Sequence, residues 1–271
     1  MLDAYIYLGL RTPFGRHGGA LARVRPDDLL ACVVKEVAAR SGFGVDSIDD
    51  VQIGCASQAG EDSRNVARHA LLLAGLPTET PGAVHNRLCG SGLNAIVGAA
   101  HAVTCGEADV CVAGGVESMS RAPFVVGKAE QAFSKDFKVF DSSLGARFPN
   151  PKIESLYGAD TMPQTSDNLA RDYQISREEC DVFALGSQEK YAKAAKDGFF
   201  QSEILPVTVP QGRGKADLTV SEDEHPRPET TMDNLVRLKP LHPEGVTTAG
   251  NASGINDGAV ALVIASRDAG D

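Results

Sequence analysis

The chain has 271 residues, of which 26 are Lys or Arg and 36 are Asp or Glu, so its formal net charge at pH 7 is −10. This length suits a globular protein of one or two domains. The acidic balance argues against non-specific nucleic-acid binding, which requires a basic surface. No uncharged apolar run approaches the ~20 residues of a membrane span, and Met1–Ala4 lacks the features of a signal peptide. We therefore expect a cytoplasmic protein with neither a nucleic-acid nor a membrane partner.

The six cysteines are too sparse for the disulfide framework of a small secreted protein. The sequence contains no Cys-x-x-Cys pair, which argues against a structural zinc site. His101 and Cys105 are four residues apart on a predicted helix, but two ligands without further partners favour ordinary packing. These patterns predict no metal site. Gly114-Gly115 is not part of a G-x-G-x-x-G fingerprint, so we also expect no dinucleotide redox cofactor.

Short apolar runs alternate with helical patterns in the first part of the chain. Such alternation indicates an α/β fold with a mixed, mostly parallel sheet and helices on both faces. The predicted strands are Ala4–Leu10, Val51–Cys55, Gly82–Leu88 and Ala108–Ala113, and the predicted helices are Asp27–Ala39, Arg64–Ala74 and Leu93–Cys105.

The texture changes after Gly115, where proline, glycine and charged residues become more frequent. Ser176 and Glu179 form a capping-box pattern that opens a predicted helix through Lys196. Short strands are predicted at 204–209 and 218–220, and the apolar run 259–266 is expected to rejoin the first sheet. The simplest organisation is an α/β core of residues 1–117 and 247–271, interrupted by an insertion of residues 118–246.

Residues 86–96, with the sequence Asn-Arg-Leu-Cys-Gly-Ser-Gly-Leu-Asn-Ala-Ile, carry the most informative chemistry. A predicted strand runs into Cys89, a Gly-Ser-Gly turn follows, and an apolar helix begins. The unpaired N–H groups and the dipole of a helix N-terminus stabilise negative charge, so a thiol placed there ionises easily and can act as a nucleophile. The N–H group of Cys89 can also help to hold an oxyanion. The alternative is that Cys89 is a small buried apolar residue, as most free cysteines are.

The other cysteines fit a nucleophile less well. Cys32 is predicted in mid-helix, Cys105 at a helix C-terminus where the dipole disfavours a thiolate, and Cys111 inside an apolar strand. Cys180 lies among acidic residues. Cys55, at the end of a predicted strand, is the second candidate.

Four motifs, in this order along the chain, resemble those of the thiolase family. They are the opening Arg11–Gly15 with Gly18-Gly19, the cysteine motif Asn86–Ile96, the segment Gly114–Ser120, and the closing Thr248–Ala259. Together they span essentially the whole chain, and they favour Cys89 as the catalytic nucleophile. The resemblance implies the fold of a thiolase N-terminal half, in which an α+β loop domain is inserted, and a homodimeric or homotetrameric assembly.

The resemblance also implies that coenzyme A binds against the loop domain. By position, Met162 resembles the methionine near the pantetheine and acyl end, and Arg227 resembles the arginine that packs on the adenine. Ala249 and Ser253 match positions that contact the pantetheine. Considered without the family, Met162 is a surface or core filler, Arg227 lies in an exposed Pro-rich turn, and Ser253 is a turn former.

A complete thiolase has a second half that carries an Asn-Glu-Ala-Phe-like stretch, a Gly-His-Pro motif and a Cys-x-Gly-Gly motif. The histidine activates the nucleophile and the second cysteine moves the α-proton of the acyl group. None of these motifs is found in residues 1–271. We therefore expect an incomplete N-terminal portion of a longer enzyme that turns over negligibly on its own, since each missing acid or base contributes about 10²–10⁴-fold.

The expected activity is acyl transfer between acyl-CoA and acetyl-CoA, through a thioester on Cys89, that cleaves or forms a 3-oxoacyl-CoA. Three segments are similar to the 3-oxoadipyl-CoA subgroup: Ser57–Asp62 with Arg64–Arg68, Arg121–Val125, and Asp160–Asn168. The alternatives are an acetoacetyl-CoA thiolase, a decarboxylating condensing enzyme of the same superfamily, and a non-catalytic acyl-CoA-binding or oligomerisation module of the same fold.

Overall fold

The computed structural model describes residues 3–270, which form two compact units. The first unit contains 3–124, 202–224 and 255–270, and the second contains 125–201 and 225–254. Residues 1, 2 and 271, at the ends of the two predicted core segments, lie outside the described residues.

Ten strands and eight α-helices follow one another within the described residues. In chain order they are β1 Tyr5–Arg11, β2 Gly15–Arg16, α1 Pro26–Arg40, β3 Asp50–Gly54, α2 Val66–Ala74, β4 Gly82–His85, α3 Ser91–Cys105, β5 Val110–Ser118, β6 Phe124–Val126, β7 Val139–Asp141, α4 Pro151–Tyr157, α5 Met162–Asp172, α6 Arg177–Lys196, β8 Val207–Val209, β9 Leu218–Val220, α7 Met232–Val236, β10 Asn256–Ala265 and α8 Arg267–Gly270.

The main sheet has the strand order β1-β10-β5-β3-β4, and the short β2 also pairs with β10. This mixed sheet with helices confirms the α/β class. The parallel part is smaller than predicted, because only the pairs β3–β4 and β3–β5 are parallel. Strand β10 runs antiparallel to β1, β2 and β5. It enters the sheet after a long excursion of the chain and not through a helical crossover, so nothing in its connection requires parallel pairing.

Helices cover both faces of this sheet, as the alternation of strands and helices predicted. Neighbouring residues of β5 point to opposite faces. Val110 and Val112 belong to the large buried cluster that contains α1 and α2, whereas Cys111 and Ala113 belong to the smaller cluster that contains α3. The sheet therefore lies between two layers of helix. Among the described residues, the helical members of the second cluster come from α3.

The units differ from the predicted division at three places: 118–124 and 202–224 belong to the first unit, and 247–254 belong to the second. The segment 202–224 is the longest of the three. The Leu205 N–H donates to the carbonyl of Arg11 at 2.7 Å, and the Arg11 guanidinium contacts the carboxylates of Glu203 and Asp223, both at 2.7 Å. Strands β8 and β9 pair with each other and bury three valines in the large core cluster. Sequence patterns assigned this segment to the insertion, because contacts with β1, which is far away in the chain, leave no local signal.

Helix α6 of the second unit begins at the predicted capping box. Ser176 Oγ accepts a hydrogen bond from the Glu179 N–H at 3.2 Å, and a Glu179 carboxylate oxygen accepts one from the Ser176 N–H at 2.7 Å. Two of the unpaired N–H groups at this helix start are thereby satisfied. The helix runs to Lys196, as predicted.

One segment of the described residues is long and apolar enough to cross a membrane by length and composition. It is Leu88–Cys105, with a mean hydropathy of 1.3 over 18 residues, so the expectation that no such run exists is wrong here. Helix α3 buries Ser91, Ala95, Ala99 and Val103 at four-residue intervals. A helix that packs on a sheet needs the same apolar composition, so this segment by itself does not indicate a membrane.

Candidate active site

Cys89 lies in the turn between β4 and α3, two residues before the first helical residue, Ser91, and its side chain is exposed. The Asn86 side chain closes the first part of the turn, since its Oδ1 accepts from the Leu88 N–H at 3.0 Å. Leu88 adopts a φ of +48°, a left-handed conformation that is uncommon for leucine. The thiol thus stands at the start of a helix and open to solvent, where the sequence predicted it.

The hydroxyl of Ser91 fixes the turn around Cys89 from the other side. Its Oγ accepts from the Arg87 N–H at 2.8 Å and donates to the Leu88 carbonyl. The Gly90 N–H donates to the Arg87 carbonyl at 3.0 Å. Short-range bonds therefore determine the backbone on each side of the cysteine.

The start of α3 lies in backbone contact with the end of β3. A Cβ atom added to Gly54 would lie 2.2 Å from the backbone N of Gly92 and from the backbone C of Ser91. No side chain fits between these backbones, so a glycine at position 54 is what permits the approach.

Three chain segments meet at this edge of the sheet. Asn86 Nδ2 donates to the carbonyl of Ala56, in the loop that follows β3, at 3.2 Å. The N–H groups of Ala56 and Ser57 donate to the carboxylate of Glu117, near the end of β5, at 3.0 and 2.9 Å. Since β3, β4 and β5 run parallel, their carboxyl ends gather beside the Cys89 turn. Ligand sites of α/β proteins commonly lie at such an edge.

His85 is a residue at this edge that sequence reasoning missed. It ends β4, and its Nε2 lies 3.1 Å from Gln52 Oε1 while its Nδ1 lies 3.1 Å from Asn94 Nδ2. Gln52 Nε2 in turn donates to the Asp50 carboxylate. The histidine links the sheet to the first turn of α3, which a single histidine at a strand end does not signal.

The environments of three other cysteines keep their thiols protonated. Burial raises the pKa of Cys32 to about 11. Burial and the Glu117 carboxylate raise the pKa of Cys55 to about 12, and burial raises the pKa of Cys111 to about 12. A thiol with such a pKa supplies almost no thiolate near neutral pH. Cys55, the second candidate from the sequence, is therefore not suited to be the nucleophile.

The last two cysteines are also less suited than Cys89. Burial and the Asp181 carboxylate raise the pKa of Cys180. Cys105 is exposed like Cys89 but is the last residue of α3, where the helix dipole disfavours a thiolate. Cys89 alone combines exposure with a helix N-terminus among the six.

Cys55, Asp62 and Glu117 place one potential metal ligand each within 4.8 Å of one another. The Cys55 Sγ lies 3.6 Å from Asp62 Oδ2 and 3.9 Å from Glu117 Oε1. The same carboxylates accept the N–H groups of Gly60, Ala56 and Ser57. Their oxygens hold the loop after β3, which accounts for the cluster without an ion.

Two segments that resemble the 3-oxoadipyl-CoA subgroup contact each other in the first unit. The Arg121 guanidinium binds both carboxylate oxygens of Glu61, and Arg25 reaches the same carboxylate at 2.9 Å. The Arg121 contact lowers the pKa of Glu61. Both arginines are thus already paired with acidic side chains.

A cavity of about 360 Å³ lies within the second unit and contains two of the four predicted coenzyme A contacts, Arg227 and Ala249. The Arg227 N–H donates to Gln188 Oε1 at 2.8 Å, and the Arg227 carbonyl accepts from the Thr230 hydroxyl at 2.7 Å. The full set of lining residues is Gln188, His225, Arg227, Glu229, Thr230, Asn234, Leu235, Leu238, Ala249, Gly250 and Ala252.

The other two predicted contacts do not line this cavity. Met162 is the first residue of α5 and is 70% exposed. Ser253 is exposed and follows the lining residue Ala252 by one position. Gln188, Thr230 and Asn234 line the cavity but were missed, because they lie on α6 and around α7 without a recognisable spacing.

The family model for the N-terminal domain of thiolase matches residues 4–268. The chain is 55% identical over 269 residues to the beta-ketoadipyl-CoA thiolase of Pseudomonas aeruginosa, covering 98% of this chain and 67% of that protein. It is 53% identical to the 3-oxoadipyl-CoA/3-oxo-5,6-dehydrosuberyl-CoA thiolase of Escherichia coli, with the same coverage. The chain thus spans about two thirds of the length of these relatives.

Solved structures show the same fold. The acetyl-CoA acetyltransferase of Bacillus anthracis superposes with a TM-score of 0.89 at 36% identity, covering 99% of this chain and 66% of that one. Human mitochondrial 3-ketoacyl-CoA thiolase in complex with CoA superposes with a TM-score of 0.87 at 37% identity, covering 98% and 65%. The family match over residues 4–268 and these relatives agree with the motif order along the sequence, and the chain belongs to the thiolase family.

Proposed function

We propose that this chain provides the nucleophile of a thiolase that acts on 3-oxoadipyl-CoA, with Cys89 forming the acyl-thioester. The observation that carries the proposal is the exposed Cys89 thiol at the N-terminus of α3, beside the carboxyl ends of three parallel strands. The names of two relatives that are 55% and 53% identical to this chain support the substrate class.

In the degradative direction, the Cys89 thiolate attacks the keto carbon of the 3-oxoacyl-CoA. The bond between this carbon and the α-carbon breaks, and its electron pair leaves with acetyl-CoA as an enolate that is then protonated. The acyl group remains on sulfur. The thiol of a second coenzyme A attacks this thioester, takes the acyl group and releases Cys89. The helix N-terminus supports the thiolate at the beginning and end of this cycle.

Coenzyme A is proposed to bind with Arg227 against its adenine and with Ala249, Ser253 and Met162 along its pantetheine. The shared cavity of Arg227 and Ala249 supports the first two assignments, because about 360 Å³ falls in the range of small-molecule pockets. Ser253 and Met162 are supported by their exposure and by the family resemblance alone.

The test is the acyl adduct that forms on the chain after incubation with 3-oxoadipyl-CoA or with acetoacetyl-CoA. One acylation per chain suffices for this test, so the negligible turnover expected of residues 1–271 alone does not prevent it. We expect a single adduct on Cys89, located by peptide mass spectrometry. 3-Oxoadipyl-CoA leaves a four-carbon dicarboxylic acyl group and acetoacetyl-CoA leaves an acetyl group. Faster accumulation of the dicarboxylic adduct is expected.

Two cysteine variants provide the controls. Cys89→Ser should abolish the adduct, whereas Cys105→Ser, at the other end of α3, should leave it unchanged. Equal or faster labelling by acetoacetyl-CoA would favour the alternative of an acetoacetyl-CoA thiolase. Coenzyme A binding without any adduct would favour a non-catalytic acyl-CoA-binding module.

We also propose a cytoplasmic homodimer or homotetramer. Two exposed aromatic residues between β6 and β7, Phe133 and Phe137, support an oligomer because a partner subunit would cover their apolar surface. Light scattering coupled to size-exclusion chromatography gives the mass of the particle, and a monomer at micromolar concentration would contradict the assembly.

A further inference from the structure

The cavity of the second unit has two walls that come from separate parts of the chain. One wall is formed by the C-terminal end of α7 and the residues after it, including Leu235 and Leu238. The other is the turn that contains Ala249 and Gly250. A ligand that touches both walls binds well only if their separation is fixed in advance.

The first wall is bound to α6 by one arginine. Arg177 Nη2 donates to the carbonyl of Leu235 at 2.7 Å and to the carbonyl of Leu238 at 3.0 Å. Arg177 Nε contacts Asp181 Oδ2, one helical turn further along α6, at 2.7 Å. The guanidinium is therefore oriented by the carboxylate of Asp181 while it holds the two carbonyls.

The second wall is bound to the same carboxylate by one asparagine. Asn251 Nδ2 donates to Asp181 Oδ1 at 2.9 Å and to the Val246 carbonyl at 3.0 Å. Asn251 Oδ1 accepts the Thr248 N–H at 2.7 Å, which closes the turn around Ala249 and Gly250. The two oxygens of Asp181 thus serve one wall each. We call Arg177, Asp181 and Asn251 the α6 clamp.

The two walls also touch directly. A Cβ atom added to Gly250 would lie 2.5 Å from Leu238 Cδ1 and 2.6 Å from Leu235 Cδ2. The turn therefore packs against the leucines with no room to spare, and a shift of one wall is transmitted to the other.

The position of Asp181 argues for a role beyond general stability. The carboxylate is completely buried, although a buried ion pair often stabilises a fold no more than apolar residues of the same size do. Such pairs can instead select one geometry. We propose that the α6 clamp is a positioning device that sets the spacing of the cavity walls for coenzyme A. This inference rests on the proposed function.

The test compares the affinities of the chain for coenzyme A and for adenosine 3′,5′-bisphosphate, measured by calorimetry. In the proposed binding mode, the bisphosphate reaches only the Arg227 end of the cavity, whereas the pantetheine of coenzyme A extends between the Leu235–Leu238 wall and the Ala249–Gly250 wall. We expect Asp181→Asn and Asn251→Ala to weaken coenzyme A about tenfold, a size typical of coupling between sites. The same variants should change bisphosphate binding by less than about twofold.

Asp172→Asn is the matched control. Asp172 also pairs with an arginine of the second unit, Arg171, but both side chains are mostly exposed and the pair lies outside the clamp. The affinity of the Asp172→Asn variant for coenzyme A should equal that of the unmodified chain. Circular dichroism checks the folding of each variant, and if Asp181→Asn does not fold, Asn251→Ala carries the test because it removes no charge.

Hydrogen exchange of the Thr248–Gly250 amides gives a readout that needs no ligand. The clamp predicts faster exchange there in Asp181→Asn and Asn251→Ala, and not in Asp172→Asn. Unchanged affinity for coenzyme A in folded clamp variants would overturn the inference, as would equal weakening of both ligands. If the unmodified chain binds no coenzyme A while exchange still rises in the variants, the proposed function fails and the clamp's geometry stands.

Discussion

The Cys89 turn and the cavity of the second unit are held by contacts of different range. Asn86, Leu88 and Ser91 secure the turn with hydrogen bonds between residues two to four positions apart. The α6 clamp joins Asn251 to Asp181 across 70 positions and Arg177 to Leu238 across 61. A site made of local bonds leaves a compact motif in the sequence, whereas a site made of distant bonds leaves single residues that look ordinary.

The largest effect is expected from a substitution that disrupts the backbone packing beneath the Cys89 turn. Gly54→Ala places a Cβ 2.2 Å from backbone atoms of Ser91 and Gly92, which have no freedom to rotate away. We expect the free energy of unfolding, measured by urea titration, to fall by about 3 kcal/mol. The alkylation rate of Cys89 should change as well, because the start of α3 must move.

Gly44→Ala is the control for this prediction, since a Cβ at Gly44 meets no atom within 4 Å. Its unfolding free energy should stay close to that of the unmodified chain. Equal stability of the Gly54 and Gly44 variants would mean that the close approach of β3 and α3 does not constrain the turn.

The prediction of intermediate size tests the assignment of the nucleophile by comparing the two exposed cysteines at the ends of α3. Cys89 and Cys105 are both exposed but lie at opposite ends of α3. Cys105→Ser leaves Cys89 as the exposed thiol, and Cys89→Ser leaves Cys105. We expect Cys89 in the first variant to react with iodoacetamide at pH 7 about three- to tenfold faster than Cys105 in the second. The raised pKa values of Cys32, Cys55 and Cys111 keep those thiols unreactive in the folded chain.

Peptide mapping identifies the labelled cysteine in each variant. A faster reaction at Cys105 would contradict the role of the helix N-terminus. Unfolding the chain in urea should bring the two rates together, because the helix and its dipole are then lost.

The smallest expected effect concerns the segment that leads into the second wall of the cavity. Asp167 Oδ1 accepts the N–H groups of Val246 and Thr247, both at 2.9 Å. Burial raises the pKa of this carboxyl, but the hydrogen bonds from Thr247, His242 and Val246 outweigh it and leave the pKa below its usual range. A lowered pKa in the folded state means that Asp167 contributes stability above about pH 4, and that this contribution is lost as the pH falls through the folded value.

Asp167→Asn should therefore be less stable than the unmodified chain at pH 7, and the difference should shrink as the pH falls below about 4. Urea titrations at pH 7 and pH 3 measure it. A difference that stays constant between these pH values would show that the charge of Asp167 does not hold the 246–247 segment.

Sequence reasoning located what neighbouring residues determine. The Ser176–Glu179 capping box, the end of α6 and strand β9 occur as predicted, and Cys89 lies at its expected helix start. Local sequence patterns did not predict contacts between residues that are far apart in the chain. The sequence ends β5 at Ala113, but β10 pairs with it as far as Ser118. Arg227 and Ala249 share a cavity, yet the clamp residues that join its walls carry no local signal.

The place of β10 has a consequence for how the protein is made. This strand comes last in the chain among those of the sheet but lies inside the sheet, where it joins β1 to β5. During synthesis, β1 and β5 emerge from the ribosome with edges that lack a hydrogen-bonding partner strand. More than 130 further residues are made after Ser118, the end of β5, before Asn256 begins β10. Sheets that depend on pairing between strands far apart in sequence form slowly, and their unpaired edges are prone to aggregation until the last strand pairs. A chaperone that shields these edges should therefore raise the yield of native chain more than one that acts after release.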